Sequence, residues 1–252
     1  MKESKDQSFD TLMNKFAHNI YGSTKGKLRH QVLLHQMRKY INLDQGVLDI
    51  IDVGGGTGIM AKEMLDMGHR VLFNDISAQA VDFAKQSLQG AENVRFEQQN
   101  LNQLMFCKAF DLVICHAVLE WLEEPFNAIE KLIQLARPGA MVSLSFFNKE
   151  AHRFGNILYG NFDYVDADMQ TKNTVRLNPN RALSPHLVLH KLAALPIEII
   201  ATSGIRCFHD YLKDREKQQQ EFERIKQLEL NYCEDNTYKW LGKYFHIVFR
   251  VI

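Results

Sequence analysis

No apolar run in this sequence approaches the roughly 18 to 20 residues that a helix needs to cross a bilayer. A helical membrane span is therefore excluded, and no membrane contact is expected. The first residues, Met1-Lys2-Glu3-Ser4-Lys5-Asp6, lack the apolar stretch of a secretory signal, so a cytoplasmic location is expected. Net charge is absent as well, because 30 basic residues balance 30 acidic ones. Without a whole-molecule positive field, nucleic acid is not held indiscriminately, and any contact with it must come from local patches. Cysteine is scarce. The four, Cys107, Cys115, Cys207 and Cys233, form no CxxC pair, and their scatter suits neither a zinc site nor a disulfide framework. They are expected to be reduced thiols, three of them beside apolar or aromatic neighbours, and no metal site is expected. Internal repeats are missing, and the one low-complexity tract is Gln218-Gln219-Gln220.

What remains is an ordinary globular composition, 46% hydrophobic and 24% charged over 252 residues, enough for one large α/β domain. A helix is expected from about Phe9 to Tyr21, with Leu12, Phe16 and Ile20 on one face, and a second from about Leu28 towards Tyr40. The run from Gly46 to Val53 then reads as a strand buried on both faces. Alternation follows: a helix at Ile59 to Met67, a strand at Arg70 to Asp75, and a helix capped by Ser77 running to about Leu88. Strands at Val94 to Glu97 and Phe110 to Cys115 come next. A helix from about Phe126 stops before Arg137-Pro138-Gly139, and Met141 to Phe147 makes a fifth strand. Such βα alternation predicts an α/β fold with a doubly wound, mostly parallel central sheet flanked by helices.

After Asn148 the rhythm breaks. Ala151 to about Pro185 reads as loop-rich and resists assignment. A helix from Ser184-Pro185 to about Ala194, a strand at Ile197 to Ile205, one charged helix from about Lys213 to Tyr232 and a strand at Tyr244 to Val251 follow. The expected organisation is a single domain over 1–252: a helical cap at 1–45, a ligand-binding core at 46–147, an inserted substrate-side segment after the fifth strand at 148–196, and completion of the sheet at 197–252.

Chemistry concentrates at Asp52-Val53-Gly54-Gly55-Gly56-Thr57-Gly58, directly after the first strand. Glycines there let the backbone turn sharply and approach a ligand with no Cβ in the way, and the following helix N-terminus offers free N–H donors. Asp75 ends the second strand, where its carboxylate can accept from ribose hydroxyls. The glycines are spaced G-x-G-x-G rather than the G-x-G-x-x-G that packs a helix against a pyrophosphate. A ligand with a ribose and no pyrophosphate fits that spacing better than a nicotinamide dinucleotide does.

Asp52 to Gly58 resembles motif I of the class I S-adenosylmethionine (SAM)-dependent methyltransferases, and Asp75 resembles their motif II acid. Asn100-Leu101-Asn102 falls where such enzymes clasp the adenine, with Asn100 in place of the usual acid, and Arg137-Pro138-Gly139 resembles the turn before their fifth strand. The fold implied is the Rossmann-like one of that class. The flanks are similar to a narrower family. Phe16 to Arg29, His116-Ala117-Val118-Leu119-Glu120-Trp121, Gly160 to Val165 and Gly204 to Leu212 resemble the bacterial tRNA 5-carboxymethoxyuridine methyltransferases. This resemblance implies SAM as cofactor and the carboxylate of a modified wobble uridine in the tRNA anticodon loop as methyl acceptor. It also implies cofactor contacts from Arg29, Gly54, Gly55, Asp75, Leu101, Asn102 and His116.

A carboxylate, with an ordinary pKa near ~4, is already an ionised nucleophile at neutral pH. No catalytic acid, base or covalent nucleophile is therefore expected, only in-line positioning and the removal of water. Arg29 could fork onto the SAM carboxylate, or it could be a solvated surface charge. Three local basic groups could meet RNA: Lys25, Lys27, Arg29 and His30; Arg176 and Arg181; and Arg206, His209, Lys213 and Arg215. Tyr159, Phe162 and Tyr164 could stack a splayed base. No obligatory protein partner is inferred. Two other readings stay open: a methyltransferase of a small carboxylic acid with the 151–185 segment as lid, and a nucleotide-sensing or RNA-binding protein of the same fold without catalysis.

Overall fold

The computed structural model describes residues 23–170 and 182–252. The helix expected between Phe9 and Tyr21, together with Arg176 and Arg181, lies outside them. Seven strands form one sheet: β1 (Asp49–Val53), β2 (Arg70–Asp75), β3 (Val94–Gln98), β4 (Phe110–His116), β5 (Ala136–Phe147), β6 (Ile197–Ile205) and β7 (Tyr244–Val251). Their order is β3-β2-β1-β4-β5-β7-β6. The pairings from β3 through β5 are all parallel, and β7 runs antiparallel to both β5 and β6.

Successive strand side chains alternate between the two faces, and each face is covered by helices. On one face Ile51, Val53, Val113 and Leu144 pack with Ala128, Ile129 and Leu132 of α4 (Pro125–Leu135) and with Val188 and Leu192 of α7 (Pro185–Leu192). On the other, Ile50, Phe73, Leu112 and Ile114 pack with Leu28, Val32, Leu33 and Met37 of α1 (Thr24–Tyr40). α2 (Ile59–Asp66) and α3 (Ala78–Ser87) share that face. The serine hydroxyl of Ser23 caps α1 by accepting from Gly26 N at 3.2 Å. The helix therefore starts four residues before the apolar pattern shows, and this first turn carries Lys25.

Three expectations need correction. The 151–185 segment is not simply loop. Asn148 caps α5 (Lys149–Leu158), and the short α6 (Phe162–Asp166) follows. α5 carries a helical apolar stripe but buries only Ala151 and Gly155 of it, leaving its large apolar residues Phe154, Ile157 and Leu158 exposed. The charged helix is two, α8 (Arg215–Gln220) and α9 (Phe222–Tyr232), parted at Glu221. Arg137-Pro138-Gly139 lies inside β5, with Gly139 at φ +82° and a register shift where the strand meets β4 between Phe110 and Leu112. Arg137 is held there by Asp111 at 2.6 Å and Asp49 at 3.1 Å, and Arg70 adds a 2.7 Å contact to Asp49, so the strand beginnings are tied by ion pairs.

Candidate cofactor-binding site

The chain leaves β1 at Val53 and turns through Gly54 at φ +63° and Gly56 at φ +57° before Gly58 at φ +77° opens α2. A residue with a Cβ in that left-handed region costs about 1–2 kcal/mol. Missing side chains serve packing as well. A Cβ on Gly54 would stand 2.4 Å from Val118 Cγ2, and one on Gly55 would stand 2.5 Å from Phe73 Cε2 and 2.9 Å from Asp52 Oδ2. These two glycines therefore serve packing as well as close approach to a ligand. Gly54 makes way for Val118, itself part of the cavity wall, and Gly55 lets the turn lie flat on β2.

Asp75 ties this turn to the tip of β2. Its Oδ2 accepts from Gly56 N at 3.0 Å, and its Oδ1 accepts from Ser77 N at 2.9 Å. Ser77 in turn caps α3 by accepting from Ala80 N. Next door, the buried Asn74 amide donates to the carbonyls of Glu97 and Gln99, fixing the chain after β3 beside the same opening. Asn100 then accepts from Asn102 N at 2.9 Å and starts a short 3-10 turn, Leu101–Gln103.

All of this surrounds one cavity at the carboxyl ends of β1, β2 and β4, where ligands bind in open α/β sheets. Arg29, Gly54, Gly55, Asp75, Leu101 and His116 line it together; Asn102 is exposed and does not line it, whereas its neighbour Asn100 does. Sequence reasoning overlooked Val118, Trp121 and Leu122, which follow β4 and close the wall opposite the glycine turn. The signal available for them was their place directly after His116. Ala117, between them, holds φ +60° and donates to Ser145 O at 2.8 Å, a strained conformation kept by its surroundings.

The polar groups behind the wall are largely uncharged. His116 Nε2 lies 2.8 Å from Ser143 Oγ, which lies 2.9 Å from His246 Nε2, and His246 Nδ1 lies 3.2 Å from Ser203 Oγ. A hydroxyl has one proton to donate and two lone pairs that accept, so at least one of the two imidazoles donates to Ser143. Burial, then His246, Arg29 and His30, drive the His116 pKa well below the usual histidine range, and burial alone takes His246 to about 3. Both are neutral at physiological pH. Burial and the nearby Asp75 raise Asp52 to about 7, and burial raises Glu120 to about 7.

The residues suit S-adenosylmethionine. The cavity offers a carboxylate at Asp75 for a ribose, apolar walls at Ile76, Leu101 and Leu122 for a flat base, and a guanidinium at Arg29 for an amino-acid carboxylate. Beside the turn, Asp52 Oδ2 and Thr57 Oγ1 are buried with no hydrogen-bond partner, the kind of unmet polar atom that collects at functional sites.

Comparison with known proteins identifies the family and the fold. Residues 51–144 match the family described as a methyltransferase domain. The chain is 36% identical over 256 residues to the tRNA 5-carboxymethoxyuridine methyltransferase of Escherichia coli (strain K12), covering 97% of this chain and 96% of that one. Among solved structures, a SAM dependent methyltransferase from Aquifex aeolicus superposes with a TM-score of 0.60 at 14% identity, over 98% of this chain and all 100% of that one. The cyclase SpnF superposes with a TM-score of 0.64 at 15% identity, over 98% and 94% of the two chains. The structural likenesses establish the fold alone, and the cyclase illustrates that this fold does not by itself fix a reaction.

Proposed function

The chain belongs to the family of the tRNA 5-carboxymethoxyuridine methyltransferases, and from that membership we propose that it moves the methyl group of S-adenosylmethionine to the carboxylate of 5-carboxymethoxyuridine at the tRNA wobble position. The product is the methyl ester, 5-methoxycarbonylmethoxyuridine. The observation that carries the reading is 36% identity in an alignment that covers 97% of the chain and so extends well beyond the cofactor core. A tRNA substrate is in keeping with a cytoplasmic enzyme.

Bound in the cavity, S-adenosylmethionine supplies an electrophilic methyl on a sulfonium. Arg29, Gly54, Gly55, Asp75, Leu101 and His116 are the residues proposed to hold it, with Asn100 taking the place expected of Asn102. Asp75 accepts from the ribose while Gly56 N–H and Ser77 N–H keep its carboxylate oriented. Leu101 covers the base, with Asn100 beside it in the cavity wall. Arg29 pairs with the amino-acid carboxylate. His116, neutral and anchored through Ser143, offers no positive charge that would draw the substrate carboxylate away from the methyl. Val118, Trp121 and Leu122 exclude water, which matters because transfer merges opposite charges and water would stabilise the separated ones. No proton needs to move. Alignment of carboxylate, methyl and sulfur supplies the rate, and good alignment is worth roughly 7–11 kcal/mol.

The test is incubation with methyl-labelled SAM and tRNA bearing 5-carboxymethoxyuridine, followed by mild alkali and mass spectrometry of the wobble nucleoside. Alkali-labile label on that nucleoside is expected. Label found only on small carboxylic acids, with none on tRNA, would overturn the reading.

A further inference from the structure

Basic side chains far apart in the chain meet around one aromatic ring just outside the cavity. Tyr244, the first residue of β7, has the Arg29 guanidinium 5.2 Å and the Arg206 guanidinium 5.4 Å from its ring centroid. Arg29 lines the cavity, whereas Tyr244 and Arg206 do not. The ring therefore marks the step from the cavity to the outer face.

Arg206 holds its backbone at φ +64°, a region that residues with a Cβ avoid. Its neighbours fix it there. Arg206 O accepts from Lys243 N at 3.3 Å, its guanidinium pairs with Asp210 at 2.8 Å, and it donates to Lys25 O at 3.4 Å. Lys25, with its side chain 53% exposed, reaches the same Asp210 at 3.6 Å. Burial lowers the Lys243 pKa, with Asp210 opposing and Arg206 and Lys25 adding to it; its half-buried ammonium donates to Ala151 O at 3.4 Å and lies 5.4 Å over the Tyr211 ring. Tyr211 meets Phe154 edge to face at 5.3 Å, and Phe154 is exposed on α5.

Three cations thus surround one carboxylate, Asp210, among the described residues. The nearby Glu229 points away from the surface, accepting from the backbone N–H groups of Cys207, Phe208 and His209. His209 is fully buried against Thr24 and drops out of the basic group that the sequence suggested. Of the three rings only Phe154 is exposed, Tyr211 and Tyr244 being half-buried beneath the cations; cations interleaved with aromatic rings are how proteins hold single-stranded nucleic acid without reading its sequence.

We propose that Lys25, Arg206, Tyr244, Lys243, Tyr211 and Phe154 form the track for the RNA strand adjoining the target nucleotide, with phosphates on Lys25 and Lys243 and a base on Phe154. The inference rests on the tRNA reading above and adds to it where the strand lies. Arg206 locks Tyr244 and Lys25 in place, and the two lysines make the contacts.

Binding of tRNA bearing 5-carboxymethoxyuridine is measured over a range of salt concentrations for the unaltered protein, Lys25→Gln, Lys243→Gln and Phe154→Ala, with SAM affinity by calorimetry and methyl transfer alongside. Lys25→Gln and Lys243→Gln should each flatten the slope of log affinity against log salt by about 0.7, one phosphate contact on a single strand. Phe154→Ala should weaken tRNA binding about 5- to 150-fold with the slope kept, the loss of one stacked base. SAM affinity should stay that of the unaltered protein in all three. Methyl transfer to tRNA by the unaltered protein, combined with wild-type tRNA affinity and slope in the three variants, overturns the track alone. Absence of transfer by the unaltered protein overturns the tRNA reading and the track together.

Discussion

In Gly55→Ala the added Cβ would stand 2.5 Å from Phe73 Cε2, 2.8 Å from its Cδ2 and 2.9 Å from Asp52 Oδ2. Neither neighbour has an easy retreat, because Phe73 is fully buried and Asp52 is nearly so. Overpacking of this kind costs about 1–3 kcal/mol, and at ~2–4 °C per kcal/mol for a chain of this size the melting temperature should fall by roughly 2–12 °C. The cause is specific to one ring, so it can be relieved. Phe73→Leu removes the atoms that Cβ meets, at the cost of a cavity that is destabilising by itself. The double variant should then be more stable than the sum of the single effects predicts, with a coupling of about 0.5–3 kcal/mol. Urea unfolding of the four proteins measures the coupling directly. If Gly55→Ala melts with the unaltered protein, or if the two effects simply add, the close contact of the turn with β2 is not what requires glycine there.

Asp75→Ala removes an ionised acceptor whose hydrogen bonds are worth about 1.5–3 kcal/mol, so SAM affinity by calorimetry should fall roughly 10- to 150-fold; unchanged affinity would remove Asp75 from the cofactor site. Ser143→Ala leaves the Nε2 atoms of His116 and His246 without their shared hydroxyl, at about 1–3 kcal/mol for each buried group stranded, and a lower urea midpoint is expected. An unchanged midpoint would mean that the hydroxyl bridge does not stabilise the fold. Asp52 is raised in the fold from 3.8 to about 7, so between those values the folded state holds more protons than the unfolded state. Its contribution to stability is therefore fully present below about pH 4 and declines as pH rises to about 7, by about 1.4 kcal/mol for each pH step of one across that window. Asp52→Asn, neutral at every pH, should lack that decline. Parallel urea-midpoint curves for the two proteins between about pH 4 and 7.5 would refute the assignment.

The sheet was largely legible because buried parallel strands are written as short, nearly continuous apolar runs. Arg70 to Asp75 matched in full, and β1 differed only in its start, since Gly46 and Val47 lack the pairing that Asp49–Val53 has. The glycine turn and Asp75 were legible because turn chemistry is local. What escaped was contact at a distance. No local pattern announces that Val118 will lean on Gly54, that Glu229 will take three backbone N–H groups from the 207–209 loop, or that residues 29, 206 and 244 will share one ring. α5 was missed although its pattern is helical, with Ala151, Phe154, Gly155 and Leu158 at i, i+3, i+4 and i+7; what no sequence pattern announces is that Phe154, Ile157 and Leu158 face outward.

β7 lies between β5 and β6 and is the strand that joins them. Until it slots in, β5 shows a bare edge and β6 has nothing to pair with, which makes a half-assembled chain a sticky one. The same strand begins with Tyr244, the ring that Arg29 leans on. The pairing that closes the sheet is thus also what sets Tyr244 beside Arg29, next to the cavity.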